Sequence, residues 1–405
     1  MSHADPNREF AVEVVRQLRD AGHEALWAGG CVRDQLLGKT PKDHDVATDA
    51  TPDRVRELFG KRRTIAVGAA FGVITVLGPK GVDPIEVATF RTDLGYSDGR
   101  RPDAVHFTSA EEDAKRRDFT INGLFFDPVE GRVIDYVGGQ QDIAGMVVRA
   151  IGMPDERFGE DRLRMLRAVR FAASLRFTLE EATADAIRAH ADAIRTISAE
   201  RIGVEVRRML TETDPPRALR LLKETGLLPF VLEPLANDEA LFDAATLRLE
   251  RLFHRSAPLA LAAAICEAAK PQAAAAVARG LRWTNKEADL VAWLVNHQRG
   301  LDDADTKPWS VVQPLLAAEG GAELIALRHA FGCDDAAQRF CEERLAWPRE
   351  QLDPPPLIDG ADLIAAGRRP GPGFGDLLSQ ARAAQLDGQI ASKAEALRLL
   401  GLKGP

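Results

Sequence analysis

GGCVRDQLLGKTPKDHDVATDA, residues 29–50, decides how the N-terminal part of the chain is read. Two glycines, Gly29 and Gly30, run straight into a helix-forming stretch, which sets unhindered backbone N–H groups at a helix start, a natural cradle for a triphosphate. Arg33 adds a forked guanidinium donor suited to phosphate. If residues 43–47 then form a strand, successive side chains alternate across it, so Asp43 and Asp45 project from one face and His44 from the other. Two carboxylates on one face can bind Mg2+ ions that activate a hydroxyl and steady a leaving phosphate. Taken singly, a glycine pair is a turn and Asp-x-Asp a solvated strand edge; standing together in one short segment, they point to chemistry.

Residues 41–50 of this stretch, PKDHDVATDA, can be read another way, because a His-Asp pair is also the core of one class of metal-dependent phosphohydrolase. The flanking sequence favours the paired aspartates and leaves His44 a bystander. Around this segment the texture is mixed: VITVL (73–77), IEVATF (85–90) and RVIDYV (132–137) alternate with helical stretches and glycine turns, which reads as α/β. Glu86, with apolar neighbours on both sides, would bring a third carboxylate near the aspartates if the strands pair; a charged strand residue at an exposed face is the plainer alternative. From about residue 155 strand-like segments vanish, and Ala, Leu, Arg and Glu at helical spacing predict an all-α remainder. Pro-containing breaks at 214–216, 347–357 and 368–375 are candidate joints between helical units.

Two further stretches bear on function: KRRDFTINGLFFDP (115–128) and ERFGEDRLRMLRAVRF (156–171). In the second, Asp161, Arg164, Arg167 and Arg170 recur every third residue, a polar stripe on a helix whose apolar face is Leu163, Leu166 and Val169. An Asp and an Arg one turn apart can read a base edge. Cytosine and adenine share an exocyclic amine beside an unprotonated ring nitrogen, so a carboxylate accepts from the first and a guanidinium donates to the second. Uracil and guanine present the reverse pattern. A solvated arginine stripe with an i,i+3 ion pair is the competing reading.

The bulk composition bounds the rest. A chain of 405 residues is too long for one ordinary core and implies two to four domains. It lacks an apolar run of about 18 residues that could span a bilayer, and its first residues do not read as a signal peptide, so no membrane partner and a cytoplasmic location are expected. Cys31, Cys266, Cys333 and Cys341 lie far apart, with no C-x-x-C pair, and indicate neither disulfides nor a cysteine zinc site. A net charge of −8 argues against binding nucleic acid through an overall basic field. Basic residues nonetheless cluster in the first 180 positions, from Lys61-Arg62-Arg63 through Arg116-Arg117 to Arg176, leaving room for a local basic face.

Taken in order, GGCVRD with DHD, RRDFTIN, EDRLRMLRAVRF and ERIGVEV resemble the class II tRNA nucleotidyltransferase and bacterial poly(A) polymerase family over about residues 25–230. The resemblance implies a head like the palm of DNA polymerase β, followed by an all-α neck, body and tail. The divisions would be head 1–147, neck 148–215, body 216–350 and tail 351–405. It implies that Gly29, Gly30 and Arg33 contact triphosphate and that Asp43 and Asp45 bind Mg2+. Arg117 and Asp118 would serve the nucleotide and ribose, Asp161 and Arg164 would template C or A, and Arg167 and Arg170 would support the phosphates. Arg201 and Glu205 would pin a neighbouring helix. The implied reaction is attack of a tRNA 3′-hydroxyl on the α-phosphate of CTP or ATP, releasing pyrophosphate.

Within the family, TDLGYSDGRRPDAVHFTSAEEDAK (92–115) resembles the full-length flexible loop that accompanies ATP incorporation, which disfavours CC-only addition. A-only addition, a poly(A) polymerase and a tRNA-end binding protein without chemistry are the alternatives. Residues 252–300 resemble in outline an HD-type helical domain, but Cys266-Glu267 stands where a His-Asp would bind metal, and His254 and His297 alone do not make a site. That region is read as degenerate and non-catalytic, and the tail as a further grip on tRNA.

Overall fold

The computed structural model describes residues 5–94, 104–253 and 255–402. The chain forms two compact units, Met1–Val231 and Leu232–Pro405.

In the first unit nine of the eleven described strands precede residue 140: β1 (Ala25–Ala28), β2 (Val46–Thr48), β3 (Thr64–Ile65), β4 (Val73–Val76), β5 (Ile85–Thr89), β6 (Arg91–Leu94), β7 (Ala104–Phe107), β8 (Leu124–Asp127) and β9 (Arg132–Asp135). Seven of them make one sheet in the order β3-β4-β5-β2-β1-β8-β9. Only β2 and β5 run parallel within it, with Val46 opposite Val87. The middle strands β1 (ALWA) and β8 (LFFD) are buried at every position, as strands covered on both faces must be. Helix α1 (Pro6–Asp20) packs on β1 and β2. It starts with Asp5 accepting a hydrogen bond from the Asn7 N–H and with Pro6 in the first turn, where its missing N–H costs nothing.

The expected strand at 43–47 is shorter than its sequence pattern. Its pairing with neighbouring strands begins only at Val46, although the Ala28 N–H donates to the Asp45 carbonyl at 3.0 Å and so keeps the aspartates on the end of the sheet. The loop-like stretch after β5 also differs, because its flanks zip into the antiparallel pair β6 and β7, with Arg91 opposite Phe107. Residues 95–103, the centre of that loop, lie outside the described residues.

Helices α2 (Gly30–Leu36), α3 (Pro52–Phe59), α4 (Ala110–Lys115) and α5 (Gly139–Ala144) belong to the sheet region; α6 (Pro154–Glu160), α7 (Leu163–Leu175), α8 (Glu181–His190), α9 (Ala199–Thr211) and α10 (Pro215–Glu224) follow. Strands do not vanish entirely after 155, since Thr178–Leu179 pairs in parallel with Val147–Val148. The stripe helix is interrupted where continuity was expected. Asp161 closes α6 in an extended conformation (φ −144°, ψ 104°), and its Oδ1 accepts the Leu163 N–H at 3.0 Å. A short carboxylate that bonds its own downstream backbone competes with the helix and breaks it.

In the second unit the described residues are helical. The segment Ala257–Ile265 is buried on all sides and is surrounded by Glu239–Glu250, Asn285–His297 and Gly321–Ala330. From Ile358 to Leu400 the chain has a small apolar core of its own, around Leu363, Ala381 and Leu397. In the HD-like stretch Cys266 is buried, Glu267 is ion-paired with Arg248 and lies 3.7 Å from Arg299, and the His297 Nδ1–H donates to the Trp293 carbonyl at 2.8 Å. These are packing roles; His254 lies outside the described residues. No single helix among the described residues is long and apolar enough to cross a membrane.

Candidate active site

The turn between β1 and α2 begins the site. Gly29 has φ 76° and ψ −126°, a backbone conformation that L side chains rarely adopt, and a Cβ there would lie 3.0 Å from the Arg117 guanidinium. Its N–H donates to the Leu124 carbonyl, which fixes the turn against the neighbouring strand. Arg33, on α2, donates through Nη1 to Asn122 Oδ1 at 2.7 Å and pairs with Asp34 at 2.8 Å.

Asp43 and Asp45 are exposed on one side of the chain and His44 is buried on the other, 3 % exposed, so the predicted alternation holds although the ladder starts later. The His44 ring packs on Trp27 at 4.6 Å, and burial pushes its pKa down, which keeps the imidazole neutral. Glu86 is exposed between the buried Ile85 and Val87. The parallel register of β2 and β5 sets it beside Asp45 rather than in the lining of the cleft. Asp45 reaches solvent yet has protein packed close around it; this partial desolvation, then the carboxylates of Asp43 and Glu86, push its pKa up to about 6 against the opposing pull of Arg117.

A cationic wall faces the aspartates. Arg117 donates to Asp113 Oδ2 from Nε and Nη2 at 3.1 and 3.0 Å, and Arg116 holds the other oxygen of the same carboxylate. Asp118 accepts from its own neighbour's N–H (Phe119), from Asn122 at 3.1 Å and from Arg167 at 2.6 Å. Burial raises the Asp118 pKa, but Arg167 and these hydrogen bonds outweigh it and hold the carboxyl below its ordinary value. Arg164 is 8 % exposed; its guanidinium pairs with Glu160 and donates to the carbonyls of Arg157 and Arg116. Asp161 pairs with Arg201 at 2.7 Å, and Arg170 with Glu205. The i,i+3 pair between Asp161 and Arg164 does not form, because each has a partner elsewhere.

Together these side chains line a cleft of about 610 Å³. Every catalytic, metal or substrate residue expected from the sequence lines it except Glu86: Gly29, Gly30, Arg33, Asp43, Asp45, Arg117, Asp118, Asp161, Arg164, Arg167 and Arg170. Arg164, Arg167 and Arg170 share one face of α7 as their spacing predicted, whereas Asp161 reaches the cleft from the helix break. Sequence reasoning missed Asn122, Arg116, Phe171 and Arg208, which also line it. Asn122 ends the RRDFTIN motif, and its signal was a buried polar residue in an apolar run. In this cleft Asp43 and Asp45 are distinct: Asp118 and Asp161 are each tied to a guanidinium, while neither Asp43 nor Asp45 is paired with a cation among the described residues.

This α/β sheet with two carboxylates opposite an arginine-lined helix is what a nucleotidyltransferase needs, and residues 25–149 match the poly A polymerase head domain. Residues 176–239 match the domain described as the probable RNA and SrmB-binding site of polymerase A. The chain is 36% identical over 397 residues to a CCA-adding enzyme of Geobacillus kaustophilus, covering 96% of this chain and 95% of that one. Against a CCA-adding enzyme of Levilactobacillus brevis the identity is 33% over 404 residues, with 98% of each chain covered. It therefore belongs to the CCA-adding enzyme family. The crystal structure of the Bacillus stearothermophilus CCA-adding enzyme in complex with CTP superposes with a TM-score of 0.81 at 31% identity, over 98% of both chains. The Thermotoga maritima CCA-adding enzyme complexed with tRNA shares the fold, with a TM-score of 0.70 at 19% identity, over 98% of this chain and 96% of that one.

Proposed function

We propose that this chain adds C and A to the 3′ end of tRNA from CTP and ATP, releasing pyrophosphate, with Asp43 and Asp45 as ligands of Mg2+. The observation that carries the reading is the pair of aspartates left, among the described residues, without a cationic partner in a cleft where Arg33, Arg167 and Arg170 are each ion-paired. Such a pair suits Mg2+, which binds through one or two carboxylates and takes its remaining ligands from water and substrate phosphates. When bound, the metal would neutralise charge on the reacting phosphate and make the tRNA hydroxyl a better nucleophile.

The protein's own groups do the positioning. Arg33, Arg167 and Arg170 face the cleft as donors for the triphosphate, and the Gly29-Gly30 turn lets the nucleotide approach the backbone closely. Arg117 and Asp118, held by Asp113 and Arg167, serve the nucleotide and ribose. Asp161 and Arg164 read the base. Each Asp161 oxygen has one bond, from Leu163 N–H or Arg201, and retains a second lone pair for an exocyclic amine. Holding both substrates in line across this cleft removes most of the entropic barrier. Glu86 adds negative charge beside the metal pair.

The functional division into head 1–147, neck 148–215, body 216–350 and tail 351–405 is kept as part of this reading; the separate apolar core from Ile358 to Leu400 supports the last part. A cytoplasmic location goes with a tRNA substrate. The test is to incubate the purified chain with Mg2+, labelled CTP or ATP, and tRNA ending at the discriminator base, after CC, or complete. CTP should extend the first, ATP the second and neither the third. No incorporation into any of them would refute the reading, and ATP incorporation alone would make it an A-adding enzyme.

A further inference from the structure

We propose that Phe171 is a positioning residue for the triphosphate, its ring serving as the common platform that orders Arg33, Arg167 and Arg170. The inference rests on the functional reading above and adds a residue to it. The guanidinium carbons of these three arginines lie 5.3, 5.3 and 4.2 Å from the centroid of that one ring. They come from two elements, Arg33 from α2 and the others from α7, so the ring joins the sheet side of the cleft to the helix side. Phe171 lines the cleft, is 8 % exposed, and is braced edge-on by the fully buried Phe119 at 5.8 Å.

Three cations around one small cleft repel one another until the triphosphate arrives. Each has an acid of its own, Asp34, Asp118 or Glu205, that neutralises charge. Asn122 relates Arg33 to the Asp118 that holds Arg167, whereas Glu205, the partner of Arg170, sits on a separate helix; the ring takes in all three. The negative face of an aromatic ring attracts cations held over it, and the attraction grows where water is displaced. One ring shared by three guanidiniums therefore holds them converged before the nucleotide binds, so less ordering is left to be done on binding. An aliphatic side chain would fill the same space and supply no such field. Asp161 and Arg164, which face the base, are not held by the ring, so its loss should weaken CTP and ATP alike and leave the choice between bases unchanged.

The test compares Phe171→Leu and Phe171→Met, which remove the ring, with Phe171→Tyr, which keeps it. Binding of CTP, ATP and CMP to the full chain is measured by calorimetry, KM and kcat on tRNA by incorporation, and folding by melting curves. Without the ring's attraction for the three guanidiniums, CTP and ATP affinity should each fall about tenfold in the Leu and Met variants and KM should rise by the same factor. Binding of CMP, which lacks the β- and γ-phosphates, and kcat should change by less than about threefold, and Tyr should restore the KM. A folded Leu or Met variant that binds CTP like the wild type overturns the proposal, as does equal loss of CMP and CTP binding, or a Tyr variant as impaired as Leu. Wild-type protein that fails to bind either triphosphate or to extend tRNA would instead remove the functional reading itself.

Discussion

Glu205 offers the sharpest test of how the neck is held together. Its carboxylate is 4% exposed and meets Arg170 Nε at 2.5 Å, with Arg170 itself 11% exposed. At that separation the gross attraction is about 7 kcal/mol for an effective dielectric constant of about 20, most of it offset by the desolvation of both charges. What a substitution reads is the cost of leaving Arg170 buried without its partner. Glu205→Ala should therefore destabilise the head-and-neck unit by about 3–5 kcal/mol. Glu205→Gln retains an oxygen that can accept the Nε–H, so its cost should be nearer the worth of a charge-assisted hydrogen bond, about 1.5–3 kcal/mol. A chain of two compact units need not unfold in one step, so a global melt is a poor measure. Hydrogen exchange of the α7 and α9 amides, followed through a urea series, reads the interface directly. If both variants stay within about 0.5 kcal/mol of the wild type there, the pair does not brace the neck and the reasoning is wrong.

The remaining predictions concern the cleft. Asp43→Asn and Asp45→Asn should each abolish incorporation while leaving the circular dichroism melt unchanged within a few degrees, since neither carboxylate has a cationic partner to lose; a large drop in melting temperature would contradict this. Gly29→Ala forces an L side chain into a glycine conformation and sets its Cβ against Arg117, so the KM for CTP and ATP should rise, with a cost of about 1–3 kcal/mol in stability, both read from kinetics and a denaturant titration. Burial raises the pKa of Asp113, but the guanidiniums of Arg117 and Arg116 outweigh it, and the net shift is downward. Its stabilising contribution is thus complete above the unfolded-state value of about 4 and is lost as the pH falls through the lower folded-state value. Asp113→Asn should lower the melting temperature at pH 7 and lose less on acidification from pH 4 downward than the wild type; parallel pH profiles would count against it.

Much of the site was legible because its signals are local. The alternation through Asp43, His44 and Asp45 needs only an extended backbone, and the cleft-facing row of Arg164, Arg167 and Arg170 needs only helical spacing. Asp161 shows where a period misleads. Its spacing from Arg164 fits a continuous helix, yet its side chain takes the Leu163 N–H and ends one helix as the next begins. Asp113 shows the opposite failure. It falls in the stretch 92–115 read as a polar loop, but it is buried beneath two arginines and also accepts the Arg91 N–H at 3.2 Å. Phe171 follows the arginine row directly, and nothing local told that three cations gather on its ring.

By itself, then, the sequence determined the change from α/β to all-α texture, the face on which each aspartate projects, and the order of motifs that marks the family. Backbone geometry with periods of 2 and 3.6 residues imposes such features over a few residues. The tertiary structure alone decided the long-range partners. Arg33 meets Asn122 across 89 residues, Arg167 meets Asp118 across 49, Arg201 meets Asp161 across 40 and Arg170 meets Glu205 across 35. Those pairings depend on how α7 and α9 pack against the sheet region, and among the described residues they leave Asp43 and Asp45 without a cationic partner.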